Sequence, residues 1–135
     1  MCLAVERGKK LKFDAEGKRV GYKVVYRVRE TTWYNTYYRH QTVYRYSLIN
    51  SDRPFTALTI DEIYSNRVDL GIHVFDDLEE AKKFCGDSDV VILEVECDRD
   101  DFVAAGQFVT ESSEYQSSVW KSVLVKGEVD VSDAN

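Results

Sequence analysis

Two histidines, His40 and His73, are the side chains whose ordinary pKa suits proton transfer near neutral pH. His73 sits between Ile72 and Val74 in a run that alternates like a strand, so a sheet face is its expected place. His40 sits among rings and arginines, where contact with a ligand is the natural reading. The three cysteines, Cys2, Cys85 and Cys97, are widely spaced, with no C-x-x-C and no histidine pair to complete a zinc site. Cys85 follows Phe84 at a helix end and Cys97 closes an acidic strand, settings that bury a thiol or raise its pKa rather than activate it. Acidic pairs recur in Asp76 with Asp77, Glu94 with Glu96, and Asp98 with Asp100 and Asp101. Glu94 and Glu96 share a strand face and could hold a divalent cation or act as acid and base, but a solvated outer face is the preferred reading. The phosphate-binding, dinucleotide-binding and nucleophile-elbow glycine motifs are absent from the sequence. No catalytic residue, metal site or cofactor is therefore expected.

What remains is an aromatic and basic constellation: Tyr26, Arg27, Arg29, Trp33, Tyr34, Tyr37, Tyr38, Arg39, His40, Tyr44 and Arg45. Aromatic faces beside guanidinium groups suit flat anionic ligands, with stacking worth about 1–3 kcal/mol per base. The same residue types dominate protein interfaces, and they also fill sheet cores. The segment is the expected contact surface for a host protein or a nucleotide-type ligand, with interface, core and nucleotide readings all open.

These residues belong to the basic half of a two-toned chain. Residues 1–67 carry 13 Lys and Arg against 7 Asp and Glu, a balance of +6, whereas residues 68–135 carry 5 against 17, a balance of −12. Their sum is the net charge of −6. An acidic chain opposes simple binding to a phosphate backbone, so the plain reading is that the halves neutralise each other, across strands or between subunits. Homo-oligomerisation is expected on the second alternative.

The elements that must position these residues follow from pattern. With 135 residues, 44% apolar and 13% aromatic, the chain is expected to fold as one α+β domain over residues 1–129, with a frayed tail at 130–135. The sheet should be largely antiparallel, with one short helix at about 77–85. Residues Cys2 to Val5 read as a strand, Lys9, Lys10 and Lys12 as a solvated stretch, and Asp14 to Gly17 as a turn. From Arg19 to Arg29 the sequence alternates, with Val20, Tyr22, Val24, Tyr26 and Val28 on an apolar face and Lys23, Arg27 and Arg29 on a basic one. The run WYNTYYRH reads as a loop or hairpin with exposed rings, and Thr59 with Glu62 has capping-box spacing for one helical turn. Gly71 to Phe75 is a strand, and Asp76 or Asp77 caps a helix in which Glu79 meets Lys83 at i, i+4. Asp89 to Cys97 forms a strand with Val91, Leu93 and Val95 on one side, and Val119 to Val129 forms a last continuous strand. No apolar stretch reaches the ~18 residues of a membrane helix, so a soluble cytoplasmic protein with reduced thiols is expected.

The start Met1-Cys2-Leu3, the strand Gly21-Tyr22-Lys23-Val24, the run Gly71 to Phe75 with its helix, and the strand Val90 to Cys97 resemble small uncharacterised proteins of phages and prophages. Those carry a CYKV strand, then a GFHSF element, a short helix and a VVKC strand; here Gly21 stands for the cysteine and His73-Val74-Phe75 for H-S-F. The resemblance covers about half the chain and implies a setting in the bacterial host cytoplasm, with an anti-defence role in view. The expected function is thus a non-enzymatic phage or mobile-element protein that binds a host target or nucleotide signal. A weaker similarity runs to the ADP-ribosyltransferase fold, with Tyr26-Arg27 standing for its first element and Glu94, Glu96 or Glu128 for its final glutamate. It implies an NAD-using enzyme as an alternative, although the Ser-Thr-Ser element of that fold is absent here. A third alternative is mimicry of nucleic acid by the acidic half.

Overall fold

The computed structural model describes residues 3–29, 32–35, 48–50, 53–57, 67–68, 71–85, 90–110 and 112–129. In chain order the elements are β1 (Leu3–Val5), β2 (Lys18–Arg29), β3 (Thr32–Asn35), β4 (Leu48–Asn50), β5 (Phe55–Thr56), β6 (Arg67–Val68), β7 (Ile72–Phe75), α1 (Leu78–Cys85), β8 (Val90–Asp98), β9 (Phe102–Val109), β10 (Glu114–Trp120) and β11 (Ser122–Glu128). All eleven strands join one sheet in the order β5-β11-β8-β2-β7-β10-β9-β1-β6, with β3 added to the end of β2 and β4 to β3. Every pairing is antiparallel, and the sheet curls into a half-barrel. The mostly antiparallel α+β expectation is met in that form, with one α-helix among the described residues.

Both faces of the sheet are covered at its centre. The inside of the curl holds Val25, Ile49, Phe55, Ile72, Val74, Leu93, Val95, Cys97, Trp120, Val123 and Val125. The other face lies under α1, where Val24, Ile92 and Ala81 meet a ring cluster. There Phe75 approaches Phe84 at 5.1 Å and Tyr115 at 5.7 Å, edge to face in the second case. The helix starts where the sequence says it should: Asp77 Oδ1 accepts the backbone N–H of Glu79, satisfying one orphan donor of the first turn. Glu79 pairs with Lys82 rather than Lys83, one residue closer than expected.

Three sequence expectations are corrected. The first concerns β2, whose apolar face does not simply point inward. Gly21, Lys23 and Val25 face the inside of the curl, while Val20 and Tyr26 on the other face are 44% and 47% exposed. Alternation cannot rank the faces of a strand that is covered on both sides in its middle. Second, the expected last strand is broken at Lys121, the corner between β10 and β11, so that Trp120 and Val123 both join the interior. Third, Lys9 is not solvated: its ammonium donates to Asp76 Oδ2 (3.0 Å), Gln116 Oε1 (2.7 Å) and the Gly106 carbonyl (2.9 Å). Ser118 Oγ donates to the other Asp76 oxygen and accepts from Trp120 Nε1, both at 2.8 Å. This fully bonded chain pins the segment after β1, with Leu11 and Phe13, against the interior. Residues 33–35 of the WYNTYYRH run lie in β3, which pairs with β2 as the hairpin reading had it; the remainder of the run, the 59–62 turn and the 130–135 tail lie outside the described residues.

Candidate functional site

The aromatic and basic segment begins as the outer end of β2 and turns back as β3. Their register sets Tyr26 opposite Tyr34 and Arg27 opposite Trp33, with an irregularity between Arg27 and Arg29. Four of the expected contact residues are thereby brought onto adjacent rungs of one hairpin, and Arg29 follows on the same strand. Tyr37, Tyr38, Arg39, His40, Tyr44 and Arg45 lie outside the described residues. Tyr26 presents its ring to solvent, which suits a stacking or interface role better than a core role.

Arg27 is already engaged. Its Nε lies 3.0 Å from both carboxylate oxygens of Glu128, and its Nη2 donates to Oε1 at 2.8 Å. The nearby carboxylate holds the guanidinium pKa above its ordinary value. Glu128 arrives there by a register shift in β11. Val125 pairs with Val95, but Gly127 pairs with the very next residue, Glu94, and Glu128 with Leu93. The extra residue turns Glu128 towards the side occupied by Val123 and Val125. Gly127, at φ +148, supplies the backbone conformation that the shift requires. Glu128 stood outside the expected contact set; a Gly-Glu pair within a strand pattern is the signal that points to a bulge there.

The remaining chemical candidates have structural partners. His73 is buried, with Nδ1 3.1 Å from the Gly71 carbonyl and Nε2 3.2 Å from that of Val68. Burial, helped by the charge of Lys23, pushes its imidazole down to about 3, against the pull of the two carbonyls. Cys97 lies wholly inside the curl, and burial pushes its thiol up to about 12; burial raises Cys85 as well. Both values oppose thiolate chemistry. Glu96 pairs with Lys126 at 3.2 Å, while Asp98 pairs with Lys18 and accepts the Asp100 N–H at 2.9 Å to cap a 3-10 turn. Their acids border a cleft of about 170 Å³ lined by Lys18, Pro54, Glu96, Asp98, Asp101, Ser122, Val123 and Leu124. Among the described residues no group of three or more His, Cys, Asp or Glu is arranged to hold a metal ion. No helix among them is long and apolar enough to cross a membrane.

Sequence reasoning missed Lys23. This residue lies on the interior face of β2, 5% exposed, and its ammonium donates to the His73 carbonyl at 3.1 Å with the Phe55 ring centroid 5.8 Å away. Burial pushes it down to about 8. A lysine inside a run of valines, tyrosines and arginines gives no sign of which face it takes. No protein-family model, curated protein or solved structure matches the chain.

Proposed function

We propose that the protein is a non-enzymatic binding protein of a phage or mobile element, acting in the bacterial cytoplasm on a host protein or a nucleotide signal through the outer end of the β2–β3 hairpin. The observation that carries this reading is the hairpin register, which sets Tyr26 opposite Tyr34 and Arg27 opposite Trp33 on successive rungs, with the Tyr26 ring exposed. Rings next to guanidinium groups are the chemistry shared by nucleotide sites and interface hot spots. The phage setting draws on the resemblance of the strand and helix motifs alone. Native mass spectrometry of the purified protein, with capture of host proteins on immobilised chain, tests the reading. Tyr26→Ala and the pair Tyr38→Ala with Arg39→Ala are expected to lose the retained nucleotide or captured protein at an unchanged melting midpoint. Retention equal to that of the unaltered chain would sink the proposal.

A second reading, ADP-ribosyl transfer from NAD, is favoured by one observation: Arg27 of the proposed first element and Glu128, one of the three glutamates that stand for the last, meet in one ion pair. Incubation of folded protein with labelled NAD and host lysate decides it, and an absence of transfer removes it.

A further inference from the structure

We propose that residues 8–13 form a latched strap on the inside of the curl, which opens as a unit on an intact sheet once the Lys9 ammonium leaves Asp76. The strap lies between β1 and β2, bracketed by two turns that close on themselves. At one end the Lys9 N–H donates to the Glu6 carbonyl at 3.2 Å. At the other the Asp14 N–H donates to the Lys18 carbonyl at 2.8 Å, and Asp14 Oδ1 accepts the N–H groups of Glu16 and Lys18, both at 2.9 Å. Between these turns, among the described residues, no backbone-to-backbone hydrogen bond joins residues 8–13 to a strand. A segment without a ladder is held by its side chains alone and belongs to the low end of local stability.

The polar attachment is concentrated in one group. Lys9 donates to Asp76 just after β7, to Gln116 on β10 and to the Gly106 carbonyl on β9, so a single ammonium ties the strap to three neighbouring parts of the sheet. Its ion pair is shielded from water, with side-chain exposures of 14% for Lys9 and 10% for Asp76. The apolar attachment is thinner. Leu11 and Phe13 are only half-buried against the interior, where Phe13 meets Trp120 edge to face at 6.0 Å and the Arg99 guanidinium lies 5.1 Å from the Phe13 ring. Arg19 adds one long contact to the Lys12 carbonyl, at 3.5 Å. Gly8, Lys10 and Lys12 are exposed, and Gly8, at φ +88 with nothing near the place of a Cβ, supplies a hinge. Loss of the Asp76 charge penalises the closed form, in which the ammonium stays buried, and spares the open form, in which water solvates it. Opening withdraws Phe13 from Trp120 and so uncovers part of the apolar interior.

Trypsin digestion of the intact chain in dilute urea tests this, with the cut bonds identified by mass spectrometry. A protease needs an extended segment in its active site, so cleavage after Lys10 and Lys12 tracks the population of the open strap. In the unaltered chain these cuts should occur without urea and accelerate with it at less than about a third of the slope of global unfolding, since opening exposes little surface. Asp76→Asn leaves the strap sequence unchanged and should speed the same cuts roughly tenfold or more, with the shallow slope retained. Ser118→Ala removes the hydroxyl that donates to the other Asp76 oxygen and accepts from Trp120, and should speed them roughly two- to tenfold. It serves in place of Asp76→Asn should that variant not fold. Glu79→Gln, which takes an equal charge from an exposed pair on α1, should leave the rates unchanged. A slope equal to that of global unfolding would mean that the strap detaches only with the sheet, and would overturn the proposal. So would unchanged rates in Asp76→Asn or its replacement Ser118→Ala, or an equal acceleration in Glu79→Gln. None of these outcomes depends on what the hairpin binds.

Discussion

Lys23 carries an ammonium group into the inside of the curl, where one carbonyl among the described residues, that of His73, accepts from it. An ammonium has three protons to donate, so among the described residues most of its lost hydration is not replaced. Depression from 10.5 to about 8 corresponds to a cost of ~3 kcal/mol while the group stays charged. Between those two values the unfolded chain binds more protons than the folded one, so this group's contribution to stability rises with pH from 8 to 10.5. Lys23→Met, close in volume and uncharged, should stabilise the protein at pH 7 by about 1–3 kcal/mol. The gain should shrink as pH approaches 10.5, read as the difference in urea midpoint between variant and parent. His73 acts with the same sign at lower pH. Its neutral ring can donate through one nitrogen only, so the other faces a carbonyl with its lone pair. The unfolded chain takes up a proton near 6.5 and the folded chain near 3, so stability present above 6.5 is lost as pH falls through that window. His73→Gln should flatten the slope of stability against pH between 6.5 and 4.5; an unchanged slope would assign the acid sensitivity to other groups.

At the scale of elements, β2 is the organising strand. It pairs with β8 over nine residues, touches β7 at Tyr22 and gives its outer end to β3. Gly21 permits the approach to β7, because a Cβ there would collide with Val74 Cγ1 and crowd Cys97 Sγ at 3.4 Å. A side chain at this position, such as the cysteine of the CYKV pattern, needs a smaller partner across the interior. Gly21→Ala is expected to cost about 1–3 kcal/mol through overpacking. Combined with Val74→Ala it should cost less than the two single changes added together, a coupling that chemical denaturation of the four proteins measures. Additive costs would mean that the strands simply move apart. The existence of β2, β8 and α1 was legible, since Val91, Leu93 and Val95 alternate cleanly against Glu94 and Glu96 and Asp77 precedes an apolar helical stripe. The face of β2 was not legible, because its Val24 goes under α1 and its Val25 into the curl. Nor was the corner at Lys121, where the shift between Val119 and Trp120 lets two inward residues lie three positions apart. Within the candidate site, the sequence identified Tyr26 and Arg27, but the partner of Arg27 lies 101 residues away and depends on a bulge that only the register reveals.

The two charge halves become, in the whole molecule, two interleaved sets of strands. β2 from the basic half lies between β8 and β7 from the acidic half, and β1 lies between β9 and β6. Among the described residues three cations of the first half find anions of the second: Lys9 with Asp76, Lys18 with Asp98, and Arg27 with Glu128. Neutralisation within one chain thus accounts for part of the asymmetry that had suggested self-association. It also means that neither half owns a complete sheet. Cleaved between Leu70 and Gly71, the chain would give a fragment with 13 Lys and Arg against 8 Asp and Glu, +5, and one with 5 against 16, −11. Neither fragment should unfold cooperatively alone, since β2 would lack β8 and β7, and β9 would lack β1. Mixed at low salt they should regain the strand signal in circular dichroism, because opposite net charges steer their encounter before the strands pair. Raising the salt from ~0.02 M to ~0.5 M shortens the screening length several-fold and should slow that recovery far more than it lowers the final signal. A recovery rate indifferent to salt would show that the asymmetry plays no part in assembly, and a fragment that folds by itself would show that the sheet is not one cooperative unit.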